Sequence, residues 1–275
     1  MNRVARQNSE LNFGGDAILL GMVRILAIHA HPDDVEILAG GTMALLASLG
    51  HEITIATMSP GDCGSRHYGP EEIAAIRRRE ASNAAALIGA SYVCVELRDL
   101  AIFDNDASRR SVTEVLRRAR PELVVTSAPS DYHCDHEAAS ALVRDACFGA
   151  PAGNHKTNDV SPAAPLERIP HLYFMDPLEG KNRDGVAVIP DFVVDVTEFF
   201  GRKREMVAAH ASQRDWLRQH HGMDDYLLQM ERWTATRGHL AGVSYGEGFR
   251  LYGTHPYPTS RLFEELVGTR AVRCS

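Results

Sequence analysis

The sequence predicts an α/β fold: a Rossmann-like, mostly parallel sheet flanked by helices, in a single domain with a C-terminal elaboration. Three observations carry this. Apolar runs of strand length alternate with longer helical patterns from Val23 to Cys147, and such runs suit strands buried on both faces. Alternation at this spacing implies parallel strands joined by right-handed crossovers. The 275 residues, 44% of them hydrophobic, suffice for one large core in an ordinary globular composition.

Residues 1–21 lack periodicity and are expected to form a disordered leader. Ala17–Gly21 is too short an apolar run for a secretory signal. Val23–His29 is the first strand, followed by a helix over Gly40–Gly50 and a second strand over Glu52–Met58. Pro70–Gly89 is a long amphipathic helix, with Pro70 in its first turn and Gly89 at its stop. Val93–Leu97 is a third strand, Ser111–Ala119 a helix, Glu122–Ser127 a fourth strand, and His136–Cys147 a helix. Gly149–Leu166, rich in Gly, Pro, Ala and Asn, is one long loop, expected to help select the substrate. Strands over His171–Met175 and Phe192–Val196 follow, with helices over Thr197–His210 and Asp224–Leu240. The domain is expected to span 22–267, leaving 268–275 as a tail.

The formal charge is −7 and, apart from Arg77-Arg78-Arg79, the basic residues are dispersed. That argues against nucleic acid as a partner. Cys63, Cys94, Cys134, Cys147 and Cys274 form no C-x-x-C pair, which fits reduced thiols in a cytoplasmic protein. No segment has the length of a membrane span.

Two motifs carry chemistry. The first, His29-Ala30-His31-Pro32-Asp33-Asp34-Val35-Glu36, lies where the first strand ends, and ligands of open α/β sheets bind beyond the carboxyl ends of strands. Imidazole and carboxylate are zinc ligands, and a catalytic zinc keeps three of them plus a water. His31 and Asp34 on one tight turn suit a shared ion, with Asp33 beside the open position. The alternative is that Asp33 or Asp34 caps the following helix. The second motif, Asp131-Tyr132-His133-Cys134-Asp135-His136, lies beyond another strand, and its alternative is Asp135 as a helix cap. Together the two clusters form a coherent site at one sheet edge.

These residues resemble the PIG-L or LmbE-like N-deacetylases, whose signature is HPDD followed by Glu and a downstream D-x-H-x-D-H. The likeness extends over most of Val23–Tyr252. It includes Arg77-x-x-Glu80, Pro190-Asp191-Phe192-Val193-Val194-Asp195 and Glu247-Gly248-Phe249-Arg250, and it is greatest to the bacillithiol-type enzymes. It implies a zinc-dependent hydrolase that removes acetyl from an N-acetylglucosamine-type conjugate. His31, Asp34 and His136 would be the metal ligands, with iron or another divalent ion as alternatives to zinc. Asp33 would be the general base, a protonated His133 would face the oxyanion or the leaving amine, and Arg77 would bind substrate. Cys134 departs from the pattern, giving HCDH where bacillithiol-type relatives often have HPDH. The resemblance also implies a homo-oligomer, with a hexamer preferred. Phe199-Phe200, Trp216, Tyr226 and Trp233 would supply either core or interface.

Competing readings are a metal- or sugar-binding module without hydrolytic activity, and a serine hydrolase using Ser244 of Gly242-Val243-Ser244-Tyr245-Gly246. The serine reading conflicts with the order of acid and histidine that the nucleophile-elbow fold requires. A dinucleotide-binding role lacks G-x-G-x-x-G after the first strand.

Overall fold

A computed structural model describes residues 21–214 and 226–274. The leader expected over 1–21 lies almost wholly outside the described residues, as does Trp216. In chain order come β1 (Arg24–His29), α1 (Asp34–Ser48), β2 (Glu52–Thr57), α2 (Pro70–Ala86), β3 (Ser91–Cys94), α3 (Asp106–Ala119), β4 (Leu123–Thr126) and α4 (Cys134–Gly149). Then follow β5 (His171–Met175), β6 (Phe192–Asp195), α5 (Phe200–Ala208), α6 (Tyr226–Leu240), β7 (Gly246–Leu251), α7 (Leu262–Val267) and β8 (Ala271–Arg273).

The eight strands make one sheet in the order β3-β2-β1-β4-β5-β7-β6-β8. The first five are mutually parallel; β7 runs antiparallel to β5 and β6, and β8 antiparallel to β6. The sheet is mostly parallel, as expected, and mixed in that β7 and β8 run against the other six strands. Residues 268–275 differ from the expected tail, because Ala271–Arg273 pair with Phe192–Val194 as an edge strand.

Alternate residues of each strand sort to opposite faces, as the pleat requires. Ile25, Ile55, Val125, Tyr173 and Phe192 pack under Met43, Met206 and Phe263 on one side. Leu26, Ile28, Val124 and Leu172 pack under Val112, Leu116, Leu142 and Val143 on the other. Helices α1, α5 and α7 thus cover one face, while α3 and α4 cover the other. The sheet order reverses between β1 and β4, so the loops after these strands diverge to opposite faces and leave a crevice at their carboxyl ends.

The 149–166 segment is a loop, but its expected role in substrate selection finds no support. Arg117 donates to the carbonyls of Ala150 and Ala152, and Thr157 donates to Glu114. These bonds staple the loop to α3, away from the crevice.

Candidate active site

The first motif leaves β1 at His29 and turns sharply before α1. Asp33 takes φ 94° and ψ −26°, a left-handed conformation that is uncommon for a residue with a Cβ. It occupies the N-cap position, yet its side chain makes no capping bond. Its Oδ2 instead accepts a hydrogen bond from the Tyr226 hydroxyl. Asp34 does not cap the helix either: its Oδ2 accepts the His31 backbone N–H at 2.8 Å and pairs with His29 Nδ1 at 2.7 Å.

The second motif begins α4 with His133 as N-cap, its Nδ1 accepting the Asp135 N–H at 3.1 Å. Asp135 therefore caps nothing. Its Oδ2 accepts the Leu100 N–H at 2.7 Å and lies 3.2 Å from His31 Nε2. Cys134 occupies the first helical position, where proline is favoured, and its thiol is exposed.

The two motifs converge on Asp34. Its Oδ2 lies 3.4 Å from His31 Nδ1 and 3.5 Å from His136 Nε2. Ligands on a tetrahedral ion with bonds of about 2.0–2.1 Å stand about 3.4 Å apart, so the spacing fits a shared divalent ion. The remaining ring nitrogens are committed elsewhere, as metal-binding imidazoles require. His136 Nδ1 bonds Asp131 at 2.9 Å, and His31 Nε2 lies 3.1 Å from Asp99. The ligand atoms of His29, Asp34 and His136 also cluster. At 2.7 Å, however, the His29–Asp34 contact is a hydrogen bond, and His29 is fully buried below the crevice. Burial opposes ionisation of Asp34, but His29, His136 and His31 hold its carboxyl well below the usual range.

Asp33 lies in a different field. Burial pushes its carboxyl up to about 6, against the pull of Arg77. Arg77 is buried rather than solvated. Its Nη2 donates to the Pro32 carbonyl at 2.9 Å and stands 3.8 Å from Asp33, while Nη1 donates to the Gly61 carbonyl at 3.3 Å. Gly61 has φ +74°, and a Cβ there would meet Nη1 at 2.0 Å, so any side chain would expel the guanidinium. Behind this pair, buried His210 stands 3.4 Å from buried Glu36.

Because His133 Nδ1 accepts a backbone N–H, the neutral ring carries its proton on Nε2. Burial, with His31 and His136 nearby, lowers its pKa.

All six predicted site residues meet in one cavity of about 890 Å³. Sequence reasoning missed Asp99 and the link from Tyr226 to Asp33, because neither lies in a motif. The signal for Tyr226 was periodic: Tyr226, Gln229, Met230 and Trp233 share a helical face, and that face lines the cavity. Ser244 sits exposed on the turn before β7, an antiparallel strand, and does not line the cavity. Its G-x-S-x-G setting is not a strand-to-helix elbow.

Fold and site together define an α/β protein with an imidazole–carboxylate centre at the carboxyl edge of its parallel strands. The family model for PIG-L, GlcNAc-PI de-N-acetylase, matches residues 26–147, so the chain is similar to that family over its first four strands. It is 28% identical over 205 residues to a probable N-acetyl-alpha-D-glucosaminyl L-malate deacetylase 2 of Bacillus cereus, covering 70% of this chain and 84% of the relative. It is also 26% identical over 196 residues to 4-oxalmesaconate hydratase of Pseudomonas putida, covering 68% and 73%. The solved N,N'-diacetylchitobiose deacetylase from Pyrococcus horikoshii superposes with a TM-score of 0.71 at 25% identity, over 86% of this chain and 88% of that one.

Proposed function

We propose that this chain is a zinc-dependent hydrolase that removes the acetyl group from an N-acetylglucosamine-type conjugate. His31 Nδ1, Asp34 Oδ2 and His136 Nε2 would hold the metal. The observation that carries the reading is the placement of Asp33: uncommitted as a cap, and fixed by Tyr226 beside the His31–Asp34–His136 cluster. A bound divalent ion supplies the acidity that makes a water nucleophilic near neutral pH. Asp33 takes the proton of that water, with Tyr226 holding its carboxylate in place. His133 Nε2–H donates to the acyl oxygen as negative charge develops there; such a donor contributes about a hundred- to a thousandfold. Asp33, now protonated and with its pKa raised by burial, returns the proton to the leaving amine. Arg77 acts through Asp33, since its terminal nitrogens are spent on that carboxylate and two carbonyls.

The test is metal analysis followed by amine release across N-acetylglucosaminides. The hydratase relative makes addition of water to an unsaturated acid the rival outcome. Hydration without amine release would overturn the deacetylase assignment. Asp131→Asn should weaken metal binding by about 10–100-fold, read by competition with a chromogenic chelator; unchanged affinity would show that the Asp131 contact does not support a metal-bound His136.

A cytoplasmic location accords with five free cysteines and with no described helix long and apolar enough to cross a membrane. For assembly we infer a homo-hexamer, on family resemblance. The described aromatics named for it lie elsewhere: Phe200 and Tyr226 are buried, Phe199 packs against the core, and Trp233 lines the cavity. Light scattering at micromolar concentration should give about six times the 30.2 kDa chain mass, and a single species at the chain mass would refute the inference.

A further inference from the structure

We propose that the cavity is built for a conjugate whose aglycone is neutral and aromatic, seated along α6. This rests on the deacetylase reading above and names its substrate class. Size comes first. A cavity of about 890 Å³ lies in the upper part of the roughly 300–1,000 Å³ range of drug-sized ligand pockets, so one acetamido sugar leaves much of it unfilled.

The shape points the same way. Tyr226, Gln229, Met230 and Trp233 line the cavity from one face of α6. At 1.5 Å per residue, Trp233 stands about 10 Å along the helix axis from Tyr226. The Tyr226 hydroxyl touches Asp33, which fixes the near end of this face at the chemistry. Trp233 therefore lies beyond the reacting sugar, where the linked group extends. Residues of the 178–185 segment also line the cavity, and Tyr132, 64% exposed, presents a second aromatic ring beside His133 and His136.

Charge decides the chemical class. Among the described residues, the cations lining the cavity are Arg77, Lys181 and Arg183. Each is engaged: Arg77 with Asp33, Lys181 with Glu179 at 3.4 Å, and Arg183 with Glu137. Asp33, Asp34, Asp99 and Glu179 line the same space. An anionic aglycone would give up hydration and would have to compete with Glu179 or Glu137 for Lys181 or Arg183, two solvent-exposed cations from which it gains little. A neutral aromatic group loses little on leaving water and gains the faces of Trp233 and Tyr132.

The experiment uses the metal-loaded full chain and three glycosides of one anomeric series: methyl, aryl, and aryl bearing a carboxylate. Amine release gives kcat/KM, and calorimetry gives binding of the three corresponding free-amine products. The aryl compound should exceed the methyl by about tenfold in both readouts, with the carboxylated aryl falling below the neutral aryl. Trp233→Ala should bring the aryl-to-methyl ratio toward one, and Trp233→Phe should retain it. A preference for the carboxylated compound would overturn the proposal, as would equal binding of all three. Tighter binding of the aryl amine with no hydrolysis of any glycoside would uphold the cavity assignment and refute the deacetylase reading. Hydrolysis blind to the aglycone would do the reverse.

Discussion

Replacing His136 or His31 by alanine is expected to take metal content from about one ion per chain to near zero and to abolish turnover. Each supplies one nitrogen facing Asp34 Oδ2 while its other nitrogen is committed to a carboxylate. Loss of either leaves two ligands, fewer than the three protein ligands of a catalytic zinc site. The pH dependence has a definite sign. Burial lowers the affinity of both rings for protons, but Asp135, Asp34 and Asp99 hold His31 well above its ordinary value, and Asp34 with Asp131 raises His136. An incoming ion must displace those protons, so apparent affinity should fall as pH falls. Metal analysis after gel filtration is the measurement; full occupancy in both variants would remove these residues from the ligand set.

Much of this centre was legible because ligand chemistry is local in sequence. His31 and Asp34 share one turn, and His133 and His136 one helix start, so residue type and spacing exposed them before any packing was known. What completes the site is tertiary. Tyr226 meets Asp33 across 193 positions and Asp135 meets His31 across 104, and no local pattern encodes such pairs. The helix-capping alternatives failed for the same reason. An acidic residue before a helix ordinarily accepts from the first-turn amides, but distant partners claimed Asp33 and Asp135.

Strands β1, β2 and β4 were readable because they are largely buried and carry continuous apolar runs, whereas the half-exposed edge strand β3, Ser91–Cys94, shares only two residues with the expected Val93–Leu97. The reversed strands β7 and β8 were not. Strand β7, Gly246–Leu251, contains Gly246, Glu247 and Gly248, a composition with low strand preference. Its glycines answer to packing: a Cβ on Gly248 would meet the Asp176 carboxylate at 2.1 Å, and one on Gly246 would meet Val193 at 2.4 Å. Glu247 is buried to bond Lys203 at 2.7 Å and the amides of Gly41 and Thr42 at 2.9 and 2.7 Å. A strand selected for a buried ion pair and close backbone approach carries no alternation to detect.

Asp33→Asn is expected to separate chemistry from metal binding. The substitution is nearly isosteric and leaves His31, Asp34 and His136 in place, so metal content should match the parent. Turnover should fall by about a hundredfold or more, the scale of a lost general base, because the amide cannot take the proton from water. The parent should lose activity as pH falls through about 6, where the buried Asp33 carboxyl is half protonated; a bound cation nearby would move that limb lower. In the variant the limb should vanish along with most of the rate. Stability should move the other way. A carboxyl whose folded pKa is raised stabilises the fold in its protonated form, and that contribution is lost as pH rises through the folded value. Asparagine cannot ionise and tolerates a left-handed backbone better than most residues, so the metal-free variant should unfold at a temperature equal to or above that of the parent at neutral pH. Near-normal turnover with metal retained would show that Asp33 is not the base, whatever its geometry.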